Sequence, residues 1–153
     1  MTKLERGDRV ALLTSGGDAP GMNAAVRAAA RVGAELGLEV IGVEEGYVGL
    51  LERRVRALDM RALDEAARRG GTILGSARSK VFPTADGQRR ARETLAAERI
   101  HALVVIGGNG SLAGARTLRD VVRVAGLPAS IDNDLACSSM SIGVDTAMNT
   151  IVE

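Results

Sequence analysis

From Ser130 to Asp134 the chain reads Ser-Ile-Asp-Asn-Asp, which places a hydroxyl, two carboxylates and an amide within five positions. Like charges this close repel one another, and a purely structural turn has little need of the pair. Paired carboxylates suit work on a proton and a divalent cation. Asp132 and Asp134 alternate in sequence. In an extended loop both side chains would leave on the same side, with Ser130 beside them. The competing reading is an Asx-rich turn ahead of a helix.

Other loops bear on that choice. Thr14 to Gly21 reads Thr-Ser-Gly-Gly-Asp-Ala-Pro-Gly, and Gly107 to Ser111 reads Gly-Gly-Asn-Gly-Ser. Glycines let backbone N–H groups turn toward a phosphate, and a helix that follows aims its positive end the same way. Neither segment is a Walker loop or a G-x-G-x-x-G fingerprint, and each alone also fits a tight strand-to-helix turn. Ser111 is expected near the next helix start, as a cap or a ligand. Between these loops, Gly75-Ser76-Ala77-Arg78 ends in a cation. A lone arginine is most often solvated or ion-paired. One account joins all four segments. Glycine turns hold a polyphosphate, Arg78 neutralises it, and the acidic loop supplies a base and metal contacts. Positioning, charge neutralisation and a base for an attacking hydroxyl are what phosphoryl transfer needs.

Such loops need a scaffold that presents them together. Arg9–Thr14, Leu38–Val43 and Ala102–Ile106 read as buried strands, Thr72–Ala77 as a short one, and a further strand precedes Pro128. Helices are expected over Gly21–Leu36, Met60–Arg69, Asp86–Arg99 and Ser111–Val121, with a last one from Ser141 to Glu153. Gly70-Gly71 is a normal helix stop. Strands alternating with helices predict an α/β fold: a doubly wound, mostly parallel, Rossmann-like sheet with helices on both faces. In such a sheet ligands bind beyond the carboxyl ends of the strands, where these loops fall.

Composition narrows the class. The 153 residues fit one domain. They include one Phe, one Tyr and no Trp, so the core is aliphatic. A net charge of +1 with interspersed signs argues against a nucleic-acid or membrane partner. No apolar run reaches the ~18 residues of a membrane span, and a cytoplasmic location is expected. The single cysteine, Cys137, excludes an internal disulfide and reads as a small packing residue. His101, the sole histidine, reads as structural, and Met140 and Met148 as core or interface filler. The chain stops within a helical pattern, which suggests truncation.

The segments, in this order, resemble bacterial ATP-dependent 6-phosphofructokinase. The matching pieces are T-S-G-G-D-A-P-G-M-N-A-A-V-R from Thr14, E-G-Y-V-G-L from Glu45, R-G-G-T-I-L-G-S-A-R from Arg69, V-V-I-G-G-N-G-S from Val104, S-I-D-N-D-L, and S-I-G-V-D-T-A. The resemblance takes in the amino-terminal half of that family's chain, as a nucleotide-binding domain portion over residues 1–153. It implies transfer of the γ-phosphoryl of Mg-ATP to the 1-hydroxyl of fructose 6-phosphate, with Mg2+ as cofactor. It implies Asp132 as general base, Ser130 and Ile131 beside the sugar, and Asp134 holding the metal with Asn109. Gly17, Arg78, Ser79, Gly108, Asn109, Gly110 and Ser111 are implied at the ATP site, Arg78 bridging the phosphates. Arg27 and Arg31, four apart on one helix, match arginines that bind a nucleotide effector at a subunit interface. A solvated basic face is the competing reading. The family is typically tetrameric.

Departures from the family pattern carry expectations of their own. Asn109 stands where the family usually has a metal-contacting Asp, so metal affinity should fall or lean on Asp134 and the phosphates. Ser130 replaces a Thr. Ala129 and Gly110 lack the Lys and Asp typical of pyrophosphate-using relatives, which favours ATP. Met60 and Arg61 replace an effector-binding Arg and Tyr, and Ser79 replaces an aromatic near the adenine. Fructose 6-phosphate contacts lie mostly in the family's second half, so the 153-residue chain alone is expected to be inactive or unstable. The rival readings are a pyrophosphate-dependent enzyme and a non-catalytic nucleotide- or sugar-phosphate-binding paralogue. An NAD or lipid kinase ranks last, because the first and acidic loops do not fit it.

Overall fold

Strand β1 (Arg9–Ser15) is apolar on both faces, and both faces are covered. In the computed structural model, which describes residues 3–136 and 138–152, it is the centre of a five-stranded sheet ordered β3-β2-β1-β4-β5. The other strands are β2 (Glu39–Val43), β3 (Val55–Ala57), β4 (Ile100–Gly107) and β5 (Arg123–Pro128). All pairings are parallel except β2 with β3. Ala11 and Leu13 face helices α2 (Gly46–Glu52), α4 (Ala85–Ala97) and α5 (Asn109–Arg116) together with Leu103 and Val105. Val10 and Leu12 face α1 (Met22–Glu35) and α3 (Met60–Ala66) with Met22, Val26 and Leu63. The doubly wound expectation holds. Because β2 and β4 flank β1, the chain reverses its direction of travel across the sheet there. The mouths of β1 and β4 therefore open side by side.

Local chemistry sets the ends. Asp59 caps α3 by accepting from the Arg61 N–H at 3.0 Å, and Thr84 caps α4 by accepting from the Gly87 N–H at 3.1 Å. Helix α6 (Val144–Val152) closes the described chain. Two elements escape the sequence pattern, α2 and β3. They are bounded by Glu45 and Arg53, both non-glycine residues with left-handed backbone, at φ 52° and 56°.

The expected strand Thr72–Ala77 is not one. Gly75 N–H turns back to the Thr72 carbonyl at 3.0 Å, and the antiparallel β3 already occupies the outer edge of β2. The segment instead crosses the strand tips, with Thr14 Oγ1 donating to the Gly75 carbonyl at 2.8 Å and the Glu45 N–H donating to the Leu74 carbonyl at 2.7 Å. Helix α5 starts at Asn109 rather than Ser111 and ends at Arg116, with turns to Val121. Ser111 is therefore no cap: the N-cap is Gly108. Ser141 to Gly143 precede the last helix instead of opening it.

His101 is structural as expected. It is the extra residue where the β1–β4 register shifts, and its Nδ1 accepts the Arg9 N–H at 3.0 Å. Met140 and Met148 are exposed, at 56% and 60%, so they are not core. Cys137 lies outside the described residues, and its packing role with it.

Candidate active site

A crevice of about 1270 Å³ opens over the carboxyl ends of β1, β4 and β5. Gly17, Arg78 and Ser79 line it, as do Gly108, Asn109, Gly110 and Ser111. So do Ser130, Ile131, Asp132 and Asp134. Residues far apart in sequence meet because the parallel strands β1, β4 and β5 deliver three of these loops to one end of the sheet, and the segment bearing Arg78 and Ser79 crosses the strand tips there.

The two glycine loops pack tightly against each other. A Cβ on Gly16 would lie 3.1 Å from Ser111 Oγ, and Gly16 has φ +94°, a conformation open to glycine. Ser111 is buried, and its carbonyl accepts from the Tyr47 hydroxyl at 2.6 Å. Burial pushes the Tyr47 phenol up from its ordinary pKa, so it stays a donor. Among the described residues no side chain caps helix α5, which leaves its first N–H groups available to an anion.

The acidic loop docks on the second turn. The Ala129 N–H donates to the Gly107 carbonyl at 3.0 Å, and Asn109 Nδ2 donates to the Asp134 carbonyl at 3.2 Å. The Asp132 N–H donates to Ser130 Oγ at 3.2 Å. The simple alternation expected of Asp132 and Asp134 fails, because Asn133 between them is left-handed at φ 50°. Both carboxylates still line the crevice. Arg78 and Lys80 line it as well, and neither forms an ion pair among the described residues.

Sequence reasoning missed part of the wall. Tyr47 and Phe82, the chain's only two aromatics, stack with ring centroids 3.9 Å apart and line the crevice with Lys80 and Arg92. Their pairing was readable only as the clue that a chain so poor in aromatics keeps these two. Ser79 does reach the crevice, but its Oγ is taken up by the Phe82 N–H at 3.0 Å.

Residues 9–153 match the phosphofructokinase family pattern. The chain belongs to the phosphofructokinase family. It is 47% identical over 146 residues to the ATP-dependent 6-phosphofructokinase of Clostridium tetani, covering 95% of this chain and 46% of that one. It is 47% identical over 147 residues to the ATP-dependent 6-phosphofructokinase of Halothermothrix orenii, covering 95% and 44%. The fold superposes on Pichia pastoris phosphofructokinase in the T-state with a TM-score of 0.88 at 35% identity, covering 99% of this chain and 18% of that one. The chain thus spans about half the length of the curated phosphofructokinases it matches.

Arg27 and Arg31 are not in the crevice. Both reach from α1 to Asp64 on α3, Arg31 Nη2 at 2.9 Å. The basic face is thus partly solvated and ion-paired through Asp64. The hydrogen bond from Arg27, with help from Arg31, holds the Asp64 carboxyl below the usual carboxylate range. A depressed native pKa gives stability that is full above the unfolded value and fades as pH falls through the folded one. Asp64→Asn should therefore lower the melting temperature slightly at pH 7, with the gap closing in acid. Thermal unfolding at both pH values measures it, and a gap that persists in acid removes the ion pair as its cause.

Proposed function

We propose that this chain forms the nucleotide-binding and base-bearing part of an ATP-dependent 6-phosphofructokinase, moving the γ-phosphoryl of ATP to the 1-hydroxyl of fructose 6-phosphate. The observation that carries the reading is the pair Gly17 and Gly110. Neither has positive φ, and a Cβ on either would meet nothing within 4 Å. The fold itself has no use for the missing side chains. A polyphosphate drawn against the backbone does.

In this reading the glycine turns and the free N–H groups of α5 grip the phosphates. Arg78 offsets the charge that shifts from donor to acceptor. Ser130 stands beside the transferred group, and Asp132 takes the proton of the sugar hydroxyl. Asp134 and Asn109 suit Mg2+, which usually takes one or two protein oxygens and leans on substrate phosphates. Because Asn109 Nδ2 is committed to the Asp134 carbonyl, its Oδ1 is left for the cation. When bound, Mg2+ supplies charge neutralisation between the phosphates. Ala129 and Gly110, in place of the Lys and Asp typical of pyrophosphate-using relatives, favour ATP as donor.

With one tyrosine and no tryptophan, the intrinsic emission of this chain reports Tyr47. MgATP should change that emission saturably, after correction for nucleotide absorbance, and magnesium pyrophosphate should not. Arg78→Ala should weaken MgATP by about tenfold or more, the value of a charge-assisted hydrogen bond. No saturable change, with no heat of binding by calorimetry, removes the reading.

A further inference from the structure

A general base must be held within hydrogen-bond reach of the proton it takes. Asp132 is exposed on a loop, and its neighbour Asn133 turns left-handed, so local backbone preference does not fix it. The holding comes from the segment that follows. The Ile142 N–H donates to the Pro128 carbonyl at 2.9 Å, and the Ser130 N–H donates to the Ile142 carbonyl at 3.1 Å. Ile142 thus bridges in parallel to Ala129, as if a strand were about to begin.

Two side chains complete the join. Ser141 is 2% exposed, and its Oγ donates to the Ser130 carbonyl at 2.7 Å. The Ser141 N–H donates to Asn133 Oδ1 at 3.0 Å, and Asn133 Nδ2 donates to the Ser139 carbonyl at 3.3 Å. The same segment presses on the first glycine loop. A Cβ on Gly143 would lie 2.9 Å from the Ala19 Cβ, and one on Gly21 would lie 2.9 Å from Ile142 Cγ2. One strap therefore touches both the loop that carries the base and the loop that carries Gly17.

We propose that Asn133 and Ser141 are positioning residues, which clasp the Ser139–Gly143 strap to the acidic loop and so hold Asp132 in register with the Gly17 loop. The proposal rests on the reading of Asp132 as the base. The residue types fit the task. Asn133 uses both ends of its amide, one accepting and one donating, and asparagine tolerates its φ of 50°. Aspartate could still accept from Ser141 but could not donate to Ser139. Among the described residues, the Ser141 hydroxyl is the one donor that reaches the Ser130 carbonyl from a buried site. Neither residue lines the crevice.

The test compares Ser141→Ala, Asn133→Asp and the conservative Ser141→Thr in the 153-residue chain. Hydrogen exchange at the Ser130 and Asp132 amides should quicken by about tenfold or more in the first two, as a local opening, with β1 and β4 unchanged. Ser141→Thr should restore the parent rates. Where the parent transfers phosphoryl groups from MgATP to fructose 6-phosphate, kcat should fall with KM for ATP unchanged. Unchanged exchange, or faster exchange with full kcat, overturns the clasp. Should Ser141→Ala fail to fold, the exposed Asn133→Asp decides. A parent that transfers nothing is the result expected of a chain spanning about half the length of its relatives, and the exchange arm then judges the clasp by itself.

Discussion

In a chain completed by the family's second half, Asp132→Asn should lower phosphoryl transfer by about 10²–10⁴-fold, the usual contribution of a positioned general base. The substitution keeps the size of the side chain and leaves the Asp132 N–H bond to Ser130 Oγ untouched. It removes the negative charge and, with it, the capacity to accept a proton. Nucleotide affinity, read by Tyr47 emission, should stay within twofold of the parent, because the glycine turns and Arg78 supply the grip. A loss confined to kcat places Asp132 at the chemical step. A fall in nucleotide affinity alone would make it a ligand contact. An unchanged rate would favour the non-catalytic paralogue, since a binding-only site has no use for a base.

The fold was legible where burial leaves long runs. Val10 to Leu13 and Leu103 to Ile106 are apolar without interruption, as strands covered on both faces require. Segments whose shape depends on tertiary partners were not legible. The seven residues of α2 and three of β3 are too short to show a period, and α2 is bounded by left-handed Glu45 and Arg53, neither of them glycine. Ile73 and Leu74 looked like a strand because they are apolar and Leu74 is buried. Their burial comes from lying across the strand tips, not from a ladder.

The candidate site divides the same way. Glycine turns and the acidic loop announce themselves because their composition is costly to explain otherwise. Contacts between loops do not. Nothing in sequence links Asn109 to the Asp134 carbonyl, Asn133 to Ser139, or Tyr47 to Phe82. The first and last join residues brought together by the sheet and the second depends on how one loop folds back, so only the assembled structure reveals them.

Gly107→Ala and Gly110→Ala should separate the fold from the site. Gly107 ends β4 opposite Ser15 of β1, in the middle of the sheet. A Cβ there would collide with the Ser15 carbonyl oxygen and stand 2.9 Å from both Ser111 Cβ and Oγ. The obstacle is backbone paired with β4 rather than a flexible side chain, so it cannot swing away. The expected cost is about 3 kcal/mol, at the upper end for overpacking, seen as a lower denaturation midpoint with unchanged slope. Gly110, in the first turn of α5, offers open space to a Cβ. Alanine there should leave stability unchanged or raise it by up to about 1 kcal/mol through helix propensity. It should nonetheless weaken MgATP, because the methyl group would occupy the approach of a phosphate to the backbone. A Gly110→Ala chain that binds MgATP as tightly as the parent would remove the polyphosphate from the glycine turns. A Gly107→Ala chain of parent stability would deny the close meeting of β1 and β4 on which the crevice depends.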